Sequence, residues 1–302
     1  MIGVGHDDHI VPTLGVWLVK ADVGRILIVA GDGGPHADGG ARLYRDFARG
    51  DAVRFKDRVA LVTGGGRGIG AACARRFATD GAAVVVADLD DGPAQQVAAE
   101  IEEAGGQALA VACDVTDRAS VDALFKATID RFGQLDFLVT CAGILRFNLV
   151  QDVSDEEWDA VIATHLRGTF LCVRAAQALM APRKTGKMVL LSSGAAKGYR
   201  ARIHYSAAKA GIEAMVHVLA IELGPSNINV NAVAPGFVET RMPEQHAAWL
   251  GEDYEAFKTR VIAGTPLRRA GTPKEQAAAI AFLCSDDASF ITDQVLGVNG
   301  GV

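Results

Sequence analysis

The apolar run Arg58-Val59-Ala60-Leu61-Val62-Thr63 passes directly into Gly64-Gly65-Gly66-Arg67-Gly68-Ile69-Gly70 and then into an alanine-rich stretch ending near Asp80. A short continuous apolar run suits a strand buried on both faces, and Ala71, Ala72, Ala74 and Phe77 sit at spacings that pack a helix. A strand, a glycine turn and a helix in that order form the entry to a βαβ unit. In such a turn Gly64 permits the tight bend, Gly68 the close approach of a pyrophosphate, and Gly70 the packing of helix on strand, with phosphate at the helix N-terminus. The spacing T-G-x-x-x-G-x-G departs from the commoner G-x-G-x-x-G, so taken alone it also fits a glycine-rich turn without ligand.

Two further features give the turn a chemical context. Val84-Val85-Val86-Ala87-Asp88 reads as a second buried strand ending in a carboxylate, 18 residues beyond Gly70, where a dinucleotide site places an acid for the adenine ribose. Asp88 is expected to accept from ribose hydroxyls, and Asp90 and Asp91 add negative charge that opposes a 2′-phosphate, so NAD is expected over NADP. Arg67 argues the other way, since a guanidinium can pair with a 2′-phosphate. The segment Tyr205-Ser206-Ala207-Ala208-Lys209 sets a phenol and an ammonium four residues apart on one helical face. The ammonium is expected to favour the phenolate and bring Tyr205 below its ordinary value of about 10, toward general acid/base use.

Along the rest of the chain, strand-like runs alternate with helix-like ones, the pattern of a doubly wound α/β fold. Seven strands are expected at 59–63, 83–88, 108–114, 137–141, 187–192, 228–234 and 294–298, in a Rossmann-type parallel sheet with helices on both faces. The helices are expected at 69–80, 93–104, 118–132, 155–180, 205–223 and 273–283. Ser154 with Glu157 resembles a capping box. The mixed segment 243–266 contains Trp249, Tyr254 and Phe257, which are candidates to line a substrate pocket, although such aromatics also serve as ordinary packing. The 302 residues, half of them hydrophobic, suffice for one large domain with a substantial core.

These segments, in this order, resemble the short-chain dehydrogenase/reductase family over roughly Arg54 to Val302, and 54–302 is taken as one Rossmann-fold dehydrogenase domain. The matching positions are the glycine turn, Asp114-Val115, Ala142-Gly143, Ser192-Ser193, Tyr205 with Lys209, Pro235-Gly236 and Thr240. The resemblance implies a cofactor site formed by Gly64, Arg67, Gly68, Ile69, Gly70, Asp88 and Leu89. It further implies Asp114 and Val115 against adenine, Cys141, Ala142 and Gly143 along the adenosine and ribose, and Pro235, Gly236, Val238 and Thr240 toward the nicotinamide amide. The implied reaction is hydride transfer between nicotinamide and a secondary alcohol or ketone, with no metal. In it Tyr205 handles the proton, Ser193 gives a hydroxyl to the substrate oxygen, and Lys209 holds the nicotinamide ribose and favours the phenolate. Ser193 is chosen over Ser192 by alignment of the doublet.

Two positions depart from the family pattern. His165 stands where the family usually has asparagine, in a proton relay with the lysine. An imidazole can also hold a water and, at its ordinary value of about 6.5, would make the relay pH-dependent; a packed, hydrogen-bonded histidine is the other reading. Cys141 lies where the family commonly has asparagine, and a thiol cannot reproduce amide hydrogen bonds, which leaves backbone groups to serve the cofactor. His204, directly before Tyr205, is expected at the surface, with the substrate cleft as the other reading. The departures keep open a weakly catalytic dinucleotide-binding sensor, and an NADPH-dependent ketoreductase of acyl intermediates is the alternative enzyme. The resemblance implies a homotetramer packed through 155–180 and 205–223.

A net charge of −6 disfavours nucleic acid as a partner. No apolar run approaches the roughly 20 residues of a membrane span, and no basic-then-apolar leader is read, so a cytoplasmic enzyme without membrane association is expected. Cys73, Cys113, Cys141, Cys172 and Cys284 are odd in number and scattered, as free buried thiols would be. Residues 1–53 fall outside the resemblance and carry no assigned role. Val16–Val19 and Ile26–Val29 are strand-like and allow a small hairpin, 31–40 reads as a loop, and His6, Asp7, Asp8 and His9 read as a solvated polar cluster rather than a metal site.

Overall fold

The computed structural model describes residues 54–302 in full and, before them, the backbone of two strands. The chain divides into two compact units, Met1–Ala52 and Val53–Val302. In the first, β1 (Val16–Ala21) pairs antiparallel with β2 (Arg25–Ala30), Val16 opposite Ala30 and Ala21 opposite Arg25. The polar cluster from His6 to His9 and the loop at 31–40 lie outside the described residues.

The second unit is built on seven parallel strands: β3 (Val59–Thr63), β4 (Ala83–Asp88), β5 (Gln107–Ala112), β6 (Phe137–Thr140), β7 (Gly186–Leu191), β8 (Ile228–Pro235) and β9 (Val295–Val298). Their spatial order is β5-β4-β3-β6-β7-β8-β9, so the direction of winding reverses between β3 and β6, the switch point at which α/β sheets bind ligands. Successive residues of β3 and β4 enter opposite cores. Ala60, Val62, Val84 and Val86 pack with Phe77, Val97 and Ile280, while Leu61, Val85 and Ala87 pack with Leu124, Leu171 and Ile212. The strands read as unbroken apolar runs because both faces are covered.

One face carries α1 (Gly68–Thr79), α2 (Asp91–Glu103) and α9 (Pro273–Cys284); the other carries α3 (Arg118–Phe132), α5 (Gly168–Met180) and α6 (Ile203–Leu223). The single helix expected over 155–180 is divided: α4 (Asp155–Ile162) meets α5 through a π-helical turn at Ala163–Arg167. At the head of α4 the Ser154 hydroxyl accepts from Glu157 N, but the Glu157 carboxylate takes the amide of Asn148 instead of returning the bond. The box is therefore half made, whereas Thr272 and Glu275 at the head of α9 make it in full. The mixed segment after β8 resolves into two helices, α7 (Arg241–Leu250) and α8 (Tyr254–Ala263). No helix among the described residues is long and apolar enough to cross a membrane.

Candidate active site

A cleft of about 420 Å³ opens over the C-terminal ends of the strands at the switch point. Its wall contains Gly64, Arg67, Gly68, Ile69 and Gly70 from the first turn, Asp88 and Leu89 from the end of β4, and Asp114 and Val115 beyond β5. Cys141, Ala142 and Gly143 follow from β6, and Thr240 faces them. Pro235, Gly236 and Val238 lie off this wall: Gly236 is packed on Asn299, and Val238 is buried in a bridge to Gly271.

The turn has the shape a dinucleotide requires. Gly64 has φ +63°, and a Cβ there would stand 2.6 Å from Ala142 N. Gly68 has φ +54°, and a Cβ would meet only Thr240 at 3.5 Å, so the space above it is open toward the cleft. The α1 N-terminus has no side-chain cap and no acid in its first turn, which leaves N–H groups and the positive end of the dipole for an anion. Asp88 accepts from Gly66 N at 2.9 Å and from Asp90 N at 3.1 Å. Arg67, the residue that could have favoured a 2′-phosphate, is tied to Asp90 at 2.7 Å. The residues present thus fit a dinucleotide. The partly buried Cys141 packs against the core that holds Cys73 and also borders the cleft.

Beside the cleft, α6 delivers Tyr205 and Lys209. Tyr205 belongs to an apolar cluster with Leu145, Phe147, Val161 and Ala195, and the Ser193 hydroxyl is near enough to favour its phenolate. Ser193 Oγ accepts from Ala195 N at 3.2 Å, which leaves its proton free to donate. Ser192 is buried and donates to Glu213 at 2.7 Å, so only Ser193 of the doublet faces Tyr205. Lys209 Nζ stands 5.5 Å from the Tyr205 ring centroid and donates to Leu191 O on the cleft wall.

The electrostatics differ from the expectation that the ammonium makes the phenol acidic. Burial pushes Tyr205 up, and the opposing influences are the Ser193 hydrogen bond and the Arg202 charge rather than Lys209. Lys209 is itself brought down to about 8 by burial. In a site this dry, removing either group from water costs its charged form more than the neighbour returns.

His165 sits on the π-turn, its ring edge-on to Tyr205 with centroids 5.0 Å apart. Its Nε2 lies 2.6 Å from Ile144 O and 3.1 Å from Ile144 N, while Nδ1 is buried without a partner. Burial and then the Lys209 charge lower it to about 3. A relay that titrates near 6.5 is thereby corrected: this imidazole is neutral at working pH. Gly143 makes room for it, since a Cβ there would lie 2.4 Å from His165 Cε1. His204 is also corrected, from surface to core. It is fully buried, and its Nδ1 accepts from Tyr205 N at 2.8 Å at the head of α6.

Of the aromatic candidates, Trp249 stacks on Phe147 at 5.6 Å and Phe257 packs edge-on to His246 at 4.9 Å. Neither they nor Tyr254 line the cleft, where α7 contributes Arg241, Met242 and Gln245. Sequence reading missed Arg202 and His246, joined at 2.8 Å; nothing in their spacing signals a contact between the α6 and α7 segments.

A family model described as enoyl-(acyl carrier protein) reductase matches residues 64–302. The chain is 39% identical over 246 residues to a protein of Streptomyces niveus named short-chain reductase protein NovJ, covering 82% of this chain and 94% of that one. It is 41% identical over 248 residues to the 3-oxoacyl-[acyl-carrier-protein] reductase of a Synechocystis species, covering 81% and 96%. Among solved structures, that titled gox2181 superposes with a TM-score of 0.76 at 34% identity, covering 83% of this chain and 97% of that one.

Proposed function

The chain belongs to the short-chain dehydrogenase/reductase family of oxidoreductases, and from that premise we propose that it interconverts a secondary alcohol and a ketone with NAD as cofactor. The observation that carries this reading is the convergence of the Ser193 hydroxyl, the Tyr205 phenol and the Lys209 ammonium beside a cleft walled by the uncapped N-terminus of α1. The nicotinamide supplies the hydride acceptor or donor when bound. Tyr205 takes the hydroxyl proton in oxidation and returns it to the developing alkoxide in reduction. Ser193 donates to the oxygen on which charge develops. Lys209 offers donors to the ribose hydroxyls from its place on Leu191 O. Gly64 to Gly70 and the α1 N-terminus hold the pyrophosphate, Asp88 the adenine ribose, and the backbone of Cys141 to Gly143 the adenosine. His165, neutral and buried, orients the Ile144 segment of the wall rather than carrying protons. The five cysteines are free, which suits a reducing cytoplasm.

A second reading, an NADPH-dependent ketoreductase of acyl intermediates, is favoured by the named activity of the Synechocystis relative. Asp88 and the pairing of Arg67 with Asp90 oppose it, because a 2′-phosphate would meet carboxylates while the arginine of the turn is already paired. The deciding experiment is dissociation constants for NAD and NADP with Asp88→Ala, alongside turnover by Tyr205→Phe. Asp88→Ala is expected to weaken NAD and narrow its advantage over NADP. Tyr205→Phe is expected to lower kcat by at least about 100-fold with cofactor binding kept. Tighter NADPH than NADH binding by the unaltered protein would reverse the cofactor assignment, and ketone turnover surviving in Tyr205→Phe would remove the tyrosine from the mechanism.

A further inference from the structure

Arg202 stands at the N-cap of α6, three residues before Tyr205. Its guanidinium lies over two rings, 5.0 Å from the Phe147 ring centroid and 4.7 Å from that of Tyr199. A cation so enclosed ordinarily takes a carboxylate partner. Among the described residues none pairs with it: the one hydrogen-bond partner is Nδ1 of His246 at 2.8 Å, a neutral acceptor that leaves the positive charge uncancelled. The nearby acids are otherwise engaged, Glu157 with Asn148 and Glu252 with Arg260. Arg202 Nε is buried with no partner, and so is the Ser206 hydroxyl one turn along the helix. Both residues border a second cavity of about 370 Å³, walled also by Asn148 and Tyr199.

We propose that Arg202, seconded by Ser206, is the specificity-determining residue that receives a carboxylate carried by the substrate, so that the natural ketone or alcohol is a keto acid or hydroxy acid. The proposal rests on the reading of Tyr205 as the proton donor to the substrate oxygen. A guanidinium edge presents two parallel N–H donors that match a carboxylate, which an imidazole lone pair uses only in part. Phe147 lies beside both groups, since it packs in the cluster around Tyr205 and the Arg202 guanidinium lies over its ring. Arg202 is three residues from Tyr205 and shares Phe147 with it, so a short keto acid or hydroxy acid spans the two.

The test uses the full-length protein saturated with reduced cofactor and a ladder of methyl ketones bearing a carboxylate one, two or three methylenes from the carbonyl, each against its primary amide. Calorimetry gives binding and kcat/KM gives turnover. The acids are expected to exceed their amides by about 10- to 100-fold in both, charge-assisted pairs being the strong ones. Arg202→Gln is expected to bring the ratio to near one, through KM more than kcat, and Arg202→Lys to keep part of it. Ser206→Ala, which removes a hydroxyl bonded to nothing, is expected to cut it a few-fold and serves if Arg202→Gln does not fold. Equal handling of acid and amide by the unaltered protein overturns the proposal, as does an Arg202→Gln loss that falls equally on both. Turnover with no acid preference leaves the oxidoreductase reading standing alone. Arg202-dependent binding of the acids with no turnover of any ketone leaves the anion site standing and removes that reading.

Discussion

At the scale of single residues, the site is ordered by burial more than by sequence spacing. The Tyr205/Lys209 interval and the Ser192-Ser193 doublet were legible because a helix and a strand end convert interval into position. What spacing could not tell is which serine faces the phenol; that depends on Glu213 capturing Ser192. Ser193→Ala is therefore expected to lower kcat by about 100-fold, as loss of one donor to a developing oxyanion does, with little change in melting temperature. Ser192→Ala is expected to do the reverse, leaving the part-buried Glu213 bond unmade at about 1 kcal/mol of stability. Thermal melts read beside kcat separate the two. The charge of a side chain was equally illegible, because no interval reports desolvation. His165 has a folded value of about 3 against about 6.5 when unfolded, so the unfolded chain binds the proton first. Its contribution to stability is full above about pH 6.5 and is lost as pH falls toward 3, with a ceiling of about 4–5 kcal/mol. Urea unfolding from pH 7 to pH 4 is expected to show that loss, and His165→Asn to flatten it; an unchanged slope would place the acid sensitivity elsewhere.

At the scale of elements, the sheet was readable almost to the residue. Strands covered on both faces are continuous apolar runs, as Val84 to Ala87 is, and parallel strands must alternate with helices. The π-turn at Ala163–Arg167 was not readable, since it lies inside an uninterrupted helical pattern with no proline to mark it. Its cause is tertiary. Gly168 lets the start of α5 approach Val115, where a Cβ would lie 2.9 Å from Val115 Cγ2, and His165 is swung onto the bare backbone of Gly143. Gly143→Ala is expected to displace the imidazole, lower the melting temperature by several degrees and weaken cofactor binding, since Gly143 lines the cleft. His165→Asn should relieve much of that in the double variant, because the smaller side chain vacates the atoms the new methyl strikes. A double-mutant cycle with zero coupling energy would show that the two sites do not share this contact.

At the scale of the whole molecule, the question is what covers the apolar surface that one copy leaves open. On α6 the inner positions Ile212, Val216 and Ala220 are in the core, while Val218 and Ile221, three apart on another face, are 50% and 64% exposed, and Phe170 on α5 is 46% exposed. A separate patch involves Phe282, Phe290 and the edge strand β9, where Val295 and Leu296 are also open. A parallel edge strand with apolar side chains invites pairing or cover. One isologous patch makes a dimer, and two distinct ones are what dihedral closure into a tetramer needs. The homotetramer that the family resemblance implies therefore predicts a graded response. Val218→Glu with Ile221→Glu is expected to give dimers in light scattering, Phe282→Glu with Leu296→Glu to give dimers of the other kind, and all four together monomers. A monomer for the unaltered protein would reject the assembly. Direct passage from tetramer to monomer with either pair alone would mean that the two surfaces do not form independent interfaces.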